Sequence, residues 1–147
     1  MKYFILPLIA LAGAGIPVQV AANTRLEKAV QSPVLATTIA FFIGAVAVAV
    51  VTSTGWLGRG QLLEAHTAPW WAWTGGLFSA LVVVISIIGL PSAGAGGVIA
   101  ATVLGQLVFA VVLDHFGWLG VQRIPVNLWR VIGAALLFSG ALLMRHK

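Results

Sequence analysis

Cysteine is absent and charge is nearly so. The 147 residues include eight Lys or Arg and three Asp or Glu, 7% of the chain. Without thiols there are no disulfides, thiolate metal sites or cysteine nucleophiles. The acids Glu27, Glu64 and Asp114 and the histidines His66, His115 and His146 are scattered, without the spacing of a metal site. No catalytic constellation assembles from neighbouring positions, so the reading is of a non-enzyme with no cofactor and no metal. The basic residues sit near the ends of apolar runs and form no stripe, which argues against nucleic acid despite the net charge of +5.

What is present is apolar. Hydrophobic residues make up 61% and mean hydropathy is +1.07, whereas an ordinary water-facing domain carries about 25% charged residues. The bilayer is therefore the solvent. A segment in lipid must satisfy its own backbone hydrogen bonds, which helices do, and a β-barrel would show short alternating runs in place of these continuous ones. The expectation is one all-α integral membrane domain, 1–147, with five transmembrane helices at about 3–22, 33–55, 70–90, 95–114 and 126–144. The first run also resembles a signal peptide, with Lys2 and Val20-Ala21-Ala22. It is longer than such apolar regions and contains Pro17 and Gln19, so it reads as a helix that stays.

The stretch 94–120 organises the rest. Gly97, Ala101 and Gly105 recur every four residues and make a face where another backbone can come close. Gly44, Gly75, Gly76 and Gly133 mark similar packing positions in other helices. Gln106 lies mid-run with Thr102 one turn before it, and an amide in hydrocarbon asks for a partner or a wet cavity. Gln106 either glues helices together or meets a solute. Gln19 and Asn23, also one turn apart, either hydrate a helix end or line the same cavity beside Pro17. Arg25-Leu26-Glu27-Lys28 reads as an interfacial connector. Ser32-Pro33 starts the second helix, and Pro91-Ser92-Ala93-Gly94 reads as a tight turn between the third and fourth. Asp114 and His115 either cap the end of the fourth helix or serve proton coupling, since imidazole titrates near neutrality. Arg130, one turn inside the fifth helix, can snorkel outward.

With five crossings, one side of the membrane carries Lys2, Arg59, Arg123 and Arg130, and the other Arg25, Lys28, Arg145 and Lys147. That is four against four, and the excess that sets orientation is missing. The chain should insert either way up, which permits an antiparallel homodimer, or be held by an oppositely oriented partner. All six tryptophans, Trp56, Trp70, Trp71, Trp73, Trp118 and Trp129, fall on the first side. They form an interfacial belt there, or some line a cavity mouth.

The pattern Gly15-Ile16-Pro17-Val18-Gln19, Asn23, Leu26, Ser32-Pro33, Phe41 and Gly44 resembles the half-size five-helix bacterial branch of the drug/metabolite transporter superfamily, the YdcZ-like family. The match continues through Gly75-Gly76, Gly105-Gln106-Leu107, Asp114-His115-Phe116-Gly117, Arg130 and Gly133. The resemblance implies half of an inverted-repeat transporter in the bacterial inner membrane, acting as a dimer of like or oppositely oriented chains, and it implies no particular substrate. Small multidrug-resistance relatives carry a glutamate in the middle of their first helix, where this chain has apolar residues, Pro17 and Gln19. The function expected is a small-solute transporter subunit working as an antiparallel, dual-topology dimer by alternating access. Its cavity residues would be Gln19, Asn23, Thr102 and Gln106. The alternative is a non-transporting membrane scaffold, which would bury Gln19, Asn23 and Gln106 in paired contacts.

Overall fold

The computed structural model describes residues 2–56, 60 and 62–145, without the side chains of 2–4, 62–63 and 144–145. Arg59, His146 and Lys147 therefore lie outside the described residues or side chains. The described chain is helical, and no strand occurs among the described residues. The helices are α1 (Lys2–Gly13), α2 (Gly15–Val30), α3 (Pro33–Thr54), α4 (Gly75–Phe116) and α5 (Leu128–Arg145), with short 3-10 turns at Leu62–Thr67, Trp70–Thr74 and Trp118–Gly120.

The break between α1 and α2 follows from Pro17. Its ring lacks an N–H and collides with the carbonyl four residues earlier, which is that of Gly13. The helix duly ends at Gly13 and restarts at Gly15. The chain then stays helical to Val30, so Arg25, Leu26, Glu27 and Lys28 are the last turns of α2 and not the connector expected. These residues are good helix formers, and the stop comes from the proline further on. Ser32 is extended, as a residue before proline must be, and Gln31 is left-handed with φ 55°. Ser32 Oγ accepts the Leu35 N–H at 3.2 Å and caps α3. Gly55, with φ 67°, ends α3.

Three stretches are long and apolar enough to cross a bilayer: Ile5–Val30, Pro33–Thr54 and Trp70–Phe116. The 22 residues of α3 measure about 33 Å and the 42 of α4 about 63 Å. The second length is twice the ~30 Å hydrocarbon core, and α4 is interrupted near its middle. Gly94 has φ 67° and ψ 167°, a region that essentially only glycine adopts. A Cβ on Gly89 would lie 3.6 Å from Val98 Cγ2. In an unbroken helix residues nine apart are separated by about 13 Å, so the chain folds back at Gly94. Pro91, Ser92 and Ala93 remain helical, and the reversal expected over four residues falls on Gly94 alone. The apolar part of the last helix, Leu128–Leu143, is shorter.

Two compact units result. One comprises Gln19–Ile88 and the other Met1–Val18 with Gly89–Lys147. In the first, Val20, Asn23, Thr24, Ala36, Thr37, Ser86 and Ile87 are buried; in the second, Val98. Most large apolar side chains face outward, and Trp56, Trp70, Trp73, Trp118 and Trp129 are exposed, with Trp71 half-buried. A lipid-facing surface has this composition.

Candidate functional site

Two groups of polar residues can be built up, one in each unit. The first sits where the arm 95–116 gives way to α5. Gly117 takes φ 66° and its N–H donates to Leu113 O at 2.8 Å, closing the helix end. The chain then returns along that end. Ile124 N–H donates to Asp114 O at 2.7 Å, and Arg123 Nε donates to His115 O at 3.1 Å. Val126 N–H donates to His115 Nδ1 at 3.2 Å. An Nδ1 that accepts places the proton of the neutral imidazole on Nε2. Asn127 Oδ1 accepts the Arg130 N–H at 3.0 Å and caps α5. Arg130 Nη1 donates to Asp114 Oδ2 at 2.9 Å in a half-buried ion pair.

Asp114 and His115 thus anchor a clasp between two helices. Arg130 turns to Asp114 and does not snorkel alone. Arg123, Asn127 and Arg130 complete the site, and sequence reasoning missed their convergence because it depends on how residues 117–127 return. A coupling carboxylate would have to exchange the Arg130 partner for a proton. His115 and Phe116 meet edge to face at 4.8 Å, and Phe116 stacks on Trp118 at 4.9 Å.

The second group lies in Gln19–Ile88. Thr24 Oγ1 donates to Val20 O at 2.9 Å, Thr37 Oγ1 to Pro33 O at 2.8 Å and Ser86 Oγ to Val82 O at 2.7 Å. Each buried hydroxyl spends its proton on its own helix, four residues back. Asn23 does not. It is 6% exposed, and its Nδ2 is the buried side-chain nitrogen or oxygen without a partner among the described residues. Thr24, Thr37 and Ser86 had no signal in the sequence beyond being hydroxyls in apolar runs.

The expected cavity residues therefore differ in setting. Asn23 is buried, whereas Gln19, one turn earlier on α2, is exposed. On the arm 95–116, Thr102 is half-buried and donates to Val98 O at 2.8 Å, while Gln106 is exposed. Neither Gln19 nor Gln106 has a side-chain hydrogen bond among the described residues. The glycines expected to pack helices closely mostly meet nothing among the described residues. A Cβ at Gly44, Gly75, Gly76, Gly105 or Gly133 would find no atom within 4 Å, and at Gly97 it would meet Ala93 Cβ at 3.2 Å. Among the described residues no cluster of His, Asp and Glu could hold a metal.

A multi-pass helical membrane protein is the class these features define. Residues 4–143 match the family described as "Putative inner membrane exporter, YdcZ", and the chain belongs to that family. No curated protein and no solved structure matches the chain.

Proposed function

We propose that the protein is one subunit of a small-solute exporter that works as an antiparallel dimer by alternating access across the inner membrane. In this reading the membrane is crossed five times, by α1 with α2, α3, the two arms of α4 and α5. Two oppositely oriented copies supply the inverted halves that many transporters hold in one chain. Membership of an exporter family supports transport over an enzymatic role, and the balanced charge supports insertion in both orientations.

One observation carries the reading. Gln19, Gln106 and the Asn23 Nδ2 group have no partner among the described residues, although polar groups beside hydrocarbon are costly unless satisfied. A scaffold would have spent these amides on helix–helix contacts. A transporter leaves them free for solute, so Gln19, Asn23 and Gln106, with Thr102 one turn before Gln106, are the solute-facing positions. The open glycines Gly44, Gly75, Gly76, Gly105 and Gly133 then serve packing against a second copy. Asp114 and His115 act first as the clasp, and any coupling role requires opening the Arg130 pair.

Efflux from proteoliposomes loaded with a panel of neutral, cationic and anionic solutes tests this. Accumulated release of at least one solute above empty liposomes, reduced in Gln106→Leu, is expected. Release no faster than from empty liposomes across the panel would return the protein to the scaffold reading.

A further inference from the structure

The three buried hydroxyls and the buried amide of Gln19–Ile88 behave differently, and the difference points to a ligand. Thr24, Thr37 and Ser86 are each closed on a carbonyl of their own helix. Asn23 could fold back on the Gln19 carbonyl in the same way, but Nδ2 makes no such bond. With 6% of the residue exposed, bulk water does not supply the acceptor. No acceptor among the described residues meets this N–H2 group.

We infer that Asn23 Nδ2 is a dedicated hydrogen-bond donor to an uncharged acceptor oxygen, such as an amide, ester or ketone carbonyl, on an otherwise apolar solute. The chemistry narrows the class. Nδ2 donates only, so a cation without an acceptor gains nothing there. A carboxylate would need a counter-charge, and none of the buried residues described in this unit is basic, Arg25 and Lys28 being exposed. A neutral carbonyl satisfies the donor without bringing an unpaired charge. The inference rests on the exporter reading, and it is separable from it because it concerns binding at one atom.

The sequence holds two asparagines, Asn23 and Asn127, so protein labelled with 15N-asparagine and held in lipid nanodiscs shows two side-chain amide nitrogens, each with its pair of N–H signals. Asn127→Asp assigns them. Three probes are titrated: N,N-dimethylbenzamide, a neutral acceptor; benzoate, an anionic one; and tetraphenylphosphonium, a cation with no acceptor. The expected result is a saturable downfield shift of the Asn23 signal with dimethylbenzamide, at least tenfold weaker half-saturation with benzoate, no shift with phosphonium, and an unmoved Asn127 signal. An Asn23 signal that stays still with dimethylbenzamide, moves equally with phosphonium, or exchanges rapidly with water before any probe is added would overturn the assignment. The readings use wild-type protein and do not depend on whether Asn23→Leu folds. Solute efflux with a motionless Asn23 signal would sink this inference alone; absent efflux with a shifting signal would sink the exporter reading alone.

Discussion

Asp114 Oδ2 and Arg130 Nη1 lie 2.9 Å apart, joining the last turn of α4 to the first turn of α5. The pair is flanked by Ile124 N–H on Asp114 O and Arg123 Nε on His115 O, so the acid is held by its side chain and its backbone together.

Breaking that pair should cost stability. Asp114→Asn or Arg130→Gln is expected to lower the unfolding free energy by about 1–2 kcal/mol, the range between an exposed pair and a charged hydrogen bond. Unfolding in mixed micelles measures it, and a double-mutant cycle should return a favourable coupling between the two. Additive losses would show that the pair contributes nothing. If Asp114→Asn also leaves efflux and its pH dependence unchanged, Asp114 has no part in proton coupling.

Gly94 should tolerate no side chain. Its φ 67° and ψ 167° fall where an L-residue costs of order 1–3 kcal/mol. Gly94→Ala is expected to reduce stability by that amount. A variant as stable as the parent would mean that the reversal at Gly94 is not held.

Gly117 and Gly105 should separate cleanly. A Cβ on Gly117 would meet Arg123 Cβ at 3.2 Å from a backbone with φ 66°, whereas one on Gly105 meets nothing. Gly117→Ala should destabilise the clasp by about 1–2 kcal/mol. Gly105→Leu should leave the monomer as stable as before and weaken self-association, read by cross-linking in membranes across dilution. Unchanged association would remove Gly105 from the interface.

Much of the fold was legible in the sequence, and the exceptions have physical causes. Composition was sufficient to name an all-helical membrane protein, and Ser32-Pro33 marked the start of α3 because cap and proline act locally. Arg25–Lys28 reads from the sequence as an interfacial connector, whereas the helix runs on through it and stops before Ser32-Pro33. Gly94 was found only as one of four turn residues, because nothing in the sequence tells which of them takes the positive φ. At the site, Asp114 and His115 were recognised as ionisable groups at a helix end. Their partners were not, because the pairing with Arg130 and the bond from Val126 N–H depend on the path of 117–127. Asn23 was singled out beside Gln19 on spacing alone, yet their burial differs: one turn along a helix places two residues on a similar face without giving them the same neighbours.

The central claim is that two copies insert in opposite orientations. With no native cysteine, a single one can be placed at the exposed Glu64 or the exposed Lys28, and intact cells treated with a membrane-impermeant thiol reagent. The account predicts that each variant labels in part, near half, and reaches completion only after lysis. Complete labelling at one position and none at the other would fix a single orientation and contradict the antiparallel homodimer.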